Sequence, residues 1–453
     1  MDSQNKNYIA ALEAARIAKA AGGRAFLVGG CVRDRLLGAD NIKDYDLEVF
    51  GVSPERIEAA LSEKFSLDMV GASFGVIKLH HYEVDIALPR RETKLGLGHR
   101  AFGMEFDCGL TVTDASSRRD FTVNAIYEDP LTGEIVDPWN GREDLNRGIL
   151  RHVGEHFSED PLRVLRGMQF VARFGFTPAS ETIKVCRAMT PEKLPRERLF
   201  GEWSKLLVKG RYISKGLEFL RASGWLRYYP ELKRLVGCKQ DPEWHPEGDV
   251  WEHTKCCLDA YAATKDDYPE SENLIVALAI LCHDFGKPAT TRFDPVKMRL
   301  RSLGHDEAGV QPTISFLKRL TNEERILQAV PPLVRLHMRP FAMWRGNSGD
   351  NAFRRLAAEV GRIDRLARVA AADSAGSYER DPEPESVKWL LAGAERLRIK
   401  DSIPKPILQG RDLIKLGMAP GEKFGVILKK AYEAQLDGKF ATYEEAIEFV
   451  KQL

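Results

Sequence analysis

Asp44 and Asp46 stand one residue apart, shortly after the run Gly29-Gly30-Cys31-Val32-Arg33-Asp34. In an extended segment alternate side chains leave from one face, so both carboxylates can hold the same hard cations, Mg2+ above all. The apolar run Ala25-Phe26-Leu27-Val28 leads into the glycine pair. Gly29 and Gly30 bring bare backbone close to a bound triphosphate, and Arg33 on the following helix meets phosphate charge. A DxD or a GG by itself is commonly a solvated turn. The order strand, glycine pair, helix start, DxD is much rarer, and it predicts magnesium-dependent nucleotidyl transfer. Asp85, in Glu83-Val84-Asp85-Ile86-Ala87, either completes a three-carboxylate site or is a plain strand-end acid.

Downstream, Arg118-Arg119-Asp120-Phe121-Thr122-Val123-Asn124-Ala125 sets guanidinium forks before a short apolar segment, where Arg119 can bind the triphosphate or the primer backbone. Asp120 and Asn124 of the same motif are further candidate nucleotide contacts. In Glu159-Asp160-Pro161-Leu162-Arg163-Val164-Leu165-Arg166, Ser158 is the expected helix N-cap and Pro161 is tolerated in the first turn. Asp160 and Arg163 then share a face as an acceptor beside a donor. Cytosine and adenine both present an amine donor next to a ring-nitrogen acceptor, whereas uracil and guanine invert that order. The pair would therefore accept CTP and ATP and reject UTP and GTP, because a mismatched base leaves buried polar groups unpaired. The competing reading is an ordinary intrahelical salt bridge.

The second half carries His253, then His283-Asp284, and later Asp373. Imidazoles with carboxylates suit a divalent transition metal better than magnesium alone, and His305 and His337 can hold a second ion. An ion held there activates water for attack on a phosphoester. Without an ion, His283 and Asp284 would form only a packed hydrogen bond.

These residues need elements to position them. Helical periodicity from Tyr8 to Ala21 stops at Gly22-Gly23, a strand follows around Phe26, and the DxD strand runs from Asp44 to Phe50. A helix opened by Ser53-Pro54-Glu55 and alternating strands Gly75 to Leu79 and Tyr82 to Leu88 complete a small mixed domain. From Arg90 to Ala115 the pattern fails, which predicts a long, mobile loop. Beyond Asp137-Pro138-Trp139-Asn140-Gly141 the chain reads as mostly helical, with boundaries near 191–195, 239–246 and 380–385 and helices broken at Gly410 and Pro420-Gly421. At 453 residues it exceeds one core. Its 67 basic and 66 acidic residues nearly cancel, so a polyanion must be met by local patches. Seven cysteines without a CxxC spacing suit a reducing, cytoplasmic location. The first residues lack a signal-peptide layout, and the longest apolar run, Leu274 to Cys282, is far below bilayer length, so neither secretion nor a membrane partner is expected.

The glycine-pair motif, Asp44-Tyr45-Asp46, the Arg118–Ala125 motif, Asp137-Pro138 with Gly141, Glu159-Asp160 with Arg163, and Pro195-Arg196-Glu197-Arg198 occur in the order of bacterial-type (class II) tRNA nucleotidyltransferases, which the first half of the chain therefore resembles. That resemblance implies an α+β, polymerase-beta-like head and a helical neck. It assigns metal binding to Asp44 and Asp46, nucleotide contacts to Gly30, Arg33 and Arg119, and base selection to Asp160 and Arg163, with Arg166 near the phosphates. It also makes the segment from Arg90 to Ala115 a flexible loop aiding the switch to the terminal A. One departure is Gln169, where family members commonly carry arginine. The spacing H…HD…D with His245-Pro246-Glu247 and Cys282-His283-Asp284-Phe285-Gly286-Lys287 resembles the HD phosphohydrolase domain fused to some of these enzymes, implying a cyclic phosphate on an RNA end as substrate. The expected organisation is a head at 1–148, a neck at 149–225, an HD domain at 226–385 and a helical tail at 386–453. The expected activity is template-free addition of CCA to the tRNA acceptor end from CTP and ATP. An enzyme adding only the final A, or a poly(A) polymerase, is the alternative.

Overall fold

Asn5 opens helix α1 (Lys6–Ala20) by accepting the backbone N–H groups of Asn7 and Tyr8, and the alanines Ala10, Ala11, Ala14, Ala15 and Ala18 bury one stripe of it. This computed structural model describes residues 5–68, 76–94, 102–192, 194–377 and 383–453, without the side chains of 91–94 and 102–105. The chain divides into two compact units, Met1–Pro195 with Glu218–Trp225, and Arg196–Leu217 with Leu226–Leu453.

In the first unit α1 is followed by β1 (Arg24–Val28), α2 (Gly30–Leu36), β2 (Tyr45–Phe50), α3 (Pro54–Ser62), β3 (Leu67–Asp68), β4 (Val76–Leu79) and β5 (Val84–Ala87). Then come β6 (Arg90–Lys94), β7 (Phe102–Phe106), α4 (Val112–Ser116), β8 (Tyr127–Glu128) and β9 (Ile135–Val136). Seven strands form one sheet in the order β3-β4-β5-β2-β1-β8-β9. Within it β2 runs parallel to β5 and antiparallel to β1. Phe26, Val28, Phe50 and Tyr127 make a buried cluster at its centre, with the Phe26 ring edge-on to Phe50 at 5.8 Å and to Tyr127 at 6.0 Å. Burial of such side chains contributes about 1.5–3 kcal/mol each, which holds the central strands in register.

Two expectations need correction here. The segment from Arg90 to Ala115 is not simply a loop: β6 and β7 pair antiparallel, and Thr111 and Asp114 form a capping box at α4. Charged residues at Arg90, Arg91, Glu92 and Lys94 hide the strand, because its apolar partners all lie on β7. The middle of that segment, and Gly75 of the expected third strand, lie outside the described residues. The second correction concerns α6, which follows α5 (Gly141–Asn146) and spans Leu162–Phe174. Ser158 does not cap it, since its Oγ donates to the Glu155 carbonyl at 3.1 Å within a 3₁₀ turn. Pro161 favours extended backbone before it, and Asp160 stands at φ −118°, ψ 100°, so the helix cannot reach back through Asp160. Asp160 instead accepts the Leu162 N–H at 3.0 Å, as a short polar side chain does at a turn.

The second unit is mainly helical. Its helix Glu270–Cys282 is buried at every position from Ile275 to Cys282, so the longest apolar run is a core helix, and among the described residues none is long and apolar enough to cross a membrane. An antiparallel pair, Arg292–Asp294 with Arg299–Arg301, interrupts the helices. The stretch 239–246, expected as a boundary, is an irregular loop inside this unit, and 378–382 lies outside the described residues. Helices Gly410–Lys415, Glu422–Leu436 and Tyr443–Lys451 enclose a small core of Leu408, Leu413, Ala431, Ala434, Phe440, Ala446 and Val450. Gly410, expected as a break, begins the first of them.

Candidate functional site

The sheet register brings the carboxylates together. Asp46 pairs with Val28 on one side and with Asp85 on the other, so Asp46 and Asp85 stand abreast on one face. Asp44, two residues before Asp46, belongs to the same face, and both are exposed. Lys78 Nζ holds Asp85 Oδ2 at 2.8 Å. Gly29 adopts φ +73°, a conformation that disfavours other residues, and a Cβ there would meet Arg119 Nη1 at 3.3 Å and Asp46 Oδ2 at 3.8 Å. The turn into α2, the Asp46 carboxylate and the Arg119 guanidinium therefore converge. Partial desolvation raises the Asp46 carboxyl above its ordinary range; Arg119 pulls it back, and the charges of Asp85 and Asp44 push it further up. Crowded acids of this kind fit a divalent cation, which would neutralise their repulsion.

Arg119 is fixed from several sides. Its Nη2 donates to Glu48 Oε2 at 2.9 Å, its Nε to the Tyr127 hydroxyl at 3.2 Å and its Nη1 to the Asn124 carbonyl at 3.3 Å, while Tyr127 itself donates to Glu48 Oε2 at 2.9 Å. Sequence reasoning missed Glu48 and Tyr127. A signal existed for Glu48, which lies two residues beyond Asp46 and so shares its face. Arg33 Nη1 donates to Asn124 Oδ1 at 2.6 Å, and its guanidinium lies 4.5 Å from the Phe174 ring of α6. Asn124 Nδ2 in turn donates to Asp120 Oδ1 at 2.9 Å, and Arg166 Nε to Asp120 Oδ2 at 2.7 Å. Asp120 is thus the hub that ties the sheet to α6. Burial would raise its pKa, but Arg166 and Asn124 more than offset that and keep it below the usual carboxylate range. Arg163 is held by the carbonyls of His156, at 2.7 Å, and Arg118. Gln169 is buried, with Arg173 Nη1 3.5 Å from its Oε1 one turn further along.

In the second unit the histidines and acids form a separate centre. His253 lies on helix Val250–Thr264, His283 and Asp284 just after Glu270–Cys282, His337 just after Glu324–Leu336, and Asp373 on Ile363–Gly376. His253 Nε2 is 2.9 Å from Asp373 Oδ1 and 3.4 Å from His283 Nε2; His305 Nε2 is 3.1 Å from His337 Nε2. Asp284 joins the two groups, with Oδ2 at 3.3 Å from His283 Nε2 and Oδ1 at 3.5 Å from His305 Nε2.

The tautomers follow from the outer hydrogen bonds. His283, His305 and His337 each set Nδ1 against a carbonyl, of Ile280 at 2.7 Å, Ser302 at 2.8 Å and Val334 at 2.6 Å. A carbonyl only accepts, so Nδ1 carries the proton and Nε2 offers its lone pair inward. His253 Nδ1 is 2.8 Å from Glu247 Oε1, which also holds His245 Nδ1 at 2.9 Å. Lone pairs facing each other at such distances repel unless a cation lies between them. The buried Asp284 has Lys287 Nζ 2.7 Å from Oδ2, and its Oδ1 accepts no hydrogen bond. Burial would raise the Asp284 carboxyl, yet His283, Lys287 and His305 hold it well below its ordinary value. The donor set therefore fits metal ions. Gly286 makes room for it: a Cβ there would come 1.9 Å from the His305 carbonyl, so only glycine lets the His305 backbone pass. Cys257, also missed in the sequence, is buried beside His253, and burial pushes its thiol up to about 11.

Known proteins match both the sequence and the fold. The poly A polymerase head domain family covers residues 25–151, and the family described as the probable RNA and SrmB-binding site of polymerase A covers residues 175–235. The multifunctional CCA protein of Laribacter hongkongensis is 35% identical over 377 residues, spanning 80% of this chain and 88% of the relative. That of Methylobacillus flagellatus is 39% identical over 303 residues, spanning 66% and 69%. The fold resembles the Bacillus stearothermophilus CCA-adding enzyme in complex with CTP, with a TM-score of 0.66 at 22% identity over 99% of both chains. It also resembles a Thermotoga maritima CCA-adding enzyme complexed with tRNA, at TM-score 0.59, 18% identity, and 99% and 96% of the two chains.

Proposed function

Because this chain belongs to the family of multifunctional CCA proteins and is a CCA-adding tRNA nucleotidyltransferase, we propose that it builds the tRNA 3′ end from CTP and ATP without a template, on the carboxylates of β2 and β5. The observation that carries this reading is the convergence of Asp46, Asp85, Gly29 and Arg119 on one face of the sheet. In the reaction the terminal ribose hydroxyl attacks the α-phosphorus, a new P–O bond forms, the bond to the β-phosphate breaks and pyrophosphate leaves. Magnesium held by Asp44 and Asp46 would supply neutralisation of the charge that gathers at that phosphorus. Asp85 completes the acid triad. Arg119, braced by Glu48 and Tyr127, and Arg33, braced by Asn124, hold the triphosphate near the glycine turn. Arg166 stays near the phosphates through Asp120, and Asp160 with Arg163 reads the base edge in place of a template. Asn124 and Asp120 act through the arginines they orient.

The domain reading divides the chain into a head at 1–148, a neck at 149–225, an HD domain at 226–385 and a tail at 386–453. Within it, the histidine–aspartate centre is a second, phosphohydrolase site for RNA-end phosphoesters. The Asp284 Oδ1 that accepts no hydrogen bond and the inward Nε2 atoms support that reading. All seven cysteines are unpaired, which is consistent with a cytoplasmic location.

The test offers the purified chain three tRNAs, ending before CCA, after C and after CC, with each nucleoside triphosphate separately. Short, ordered additions of C, C and A are expected. Extension of only the last tRNA, and only by A, would restrict the activity to the final step and make Gln169 the first residue to examine. Long A-tails on generic RNA would favour a poly(A) polymerase instead.

A further inference from the structure

Cys257 stands four residues after His253 on helix Val250–Thr264, one turn along the same face. Its Sγ lies 3.4 Å from His253 Nε2, and His253 Nε2, His283 Nε2, Asp373 Oδ1 and Cys257 Sγ all fall within 4.8 Å of one another. Around one ion, bonds of about 2.0–2.1 Å to nitrogen or oxygen and about 2.3 Å to sulfur set neighbouring donors roughly 3–3.7 Å apart. The separations His253–Cys257 at 3.4 Å, His253–His283 at 3.4 Å, His253–Asp373 at 2.9 Å and His283–Asp373 at 3.6 Å match that spacing. The neighbouring buried Asp284 has Lys287 Nζ 2.7 Å from Oδ2, while its Oδ1, 3.5 Å from His305 Nε2, accepts no hydrogen bond and is open to a further cation. The thiol thus stands against His253 and within 4.8 Å of the other donors, where an H…HD…D pattern has no sulfur.

We propose that Cys257 is a thiolate ligand of the histidine–aspartate centre, giving one of its ions a mixed nitrogen, oxygen and sulfur donor set. The inference rests on the metal-centre reading above. Binding exchanges the thiol S–H for a sulfur–metal bond, releases one proton to solvent and changes no oxidation state. Sulfur in the set selects a thiophilic ion such as Zn2+ or Co2+ over Mg2+ or Mn2+.

Cobalt tests this on the full chain. Metal-stripped protein is titrated with Co2+ and followed by absorption, alongside Cys257→Ser, Cys256→Ser and His283→Ala. Wild type and Cys256→Ser should show a near-ultraviolet sulfur-to-cobalt charge-transfer band together with visible d–d bands. Cys257→Ser should keep d–d bands of bound cobalt, lose the charge-transfer band and bind Zn2+ at least roughly tenfold more weakly. An unchanged charge-transfer band in Cys257→Ser overturns the proposal while leaving the metal centre intact. No cobalt binding by wild type, or binding unaffected by His283→Ala, sinks the centre and the proposal with it. Should Cys257→Ser fail to fold, X-ray absorption of wild type carrying one equivalent of Zn2+ decides: a sulfur neighbour at about 2.3 Å supports the ligand, and a shell of nitrogen and oxygen alone refutes it.

Discussion

The acids of the first unit and the histidine centre of the second would hold a cation in opposite ways. Asp44 just before β2 and Asp46 within it are exposed, with Asp85 abreast of Asp46 on β5, and apart from the Lys78 contact to Asp85 it is strand register that aims them. His253, His283 and His337 are buried, and their Nδ1 atoms are tied to a carboxylate or to carbonyls before any ion arrives. An open carboxylate cluster suits a weakly held ion that comes and goes with a triphosphate, since magnesium keeps several waters and shares its ligands with substrate phosphates. A dry cluster of oriented imidazoles suits a resident ion. On the proposed reading, one site would exchange its ion and the other would keep it.

The sharpest way to break this contrast is Asp46→Ala. Nucleotide incorporation should fall by at least about 10²–10³-fold, the scale of losing a preorganised electrostatic group, while hydrolysis of a cyclic phosphodiester stays unchanged. Both rates are measured on the same preparation. Loss of both together would mean that the two sites are not independent.

Next comes Asp284→Ala, aimed at the acid that links the two imidazole groups. Tightly bound transition metal, counted by elemental analysis after dialysis against chelator, should drop by both ions, and hydrolysis should vanish. CCA addition in fresh Mg2+ should remain. Retention of metal by this variant would deny Asp284 its bridging place.

A smaller effect tests selectivity rather than rate. Asp160→Ala removes the acceptor at the foot of α6, and discrimination against UTP should weaken by about 1–3 kcal/mol, the worth of a good base-edge contact. The readout is the ratio of kcat/KM for CTP and UTP on a tRNA ending before CCA. An equal fall for both nucleotides, with the ratio preserved, would leave Asp160 as a turn residue that caps Leu162.

How much of this was legible beforehand differs between the two sites. The first is local in sequence: the DxD alternation and the glycine pair announce themselves because strand period and turn chemistry are short-range. Asp85 was undecided in sequence because its value depends on lying opposite Asp46, a pairing of two strands 39 positions apart in the register of Asp46 with Asp85. The pairing of β6 with β7 was invisible because Arg90, Arg91, Glu92 and Lys94 break the alternation that marks a strand. In α6 the pattern was right but its start was wrong, since Pro161 acts on the residue before it. The histidine centre was legible as a set of ligand types, and Glu247 as part of the His245-Pro246-Glu247 run, yet the hold of Glu247 on His253 and the place of Cys257 were not, because they lie in what the fold brings together.

Glu247 offers the finest probe of the comparison. His283, His305 and His337 are oriented by backbone carbonyls that no substitution removes, whereas His253 depends on the Glu247 carboxylate. Glu247→Gln keeps the shape but can present an amide N–H to Nδ1, which would favour the wrong tautomer and turn an N–H toward Asp373. Metal affinity of the centre should fall about tenfold, at the low end for an outer partner, measured by competition with a chromogenic chelator. Nucleotide addition, which uses none of these groups, should not move. An unaltered affinity would mean that the Asp373 contact at 2.9 Å alone suffices to aim His253. The buried centre would then depend less on orientation before binding than its hydrogen bonds imply, and more closely resemble the open acid site.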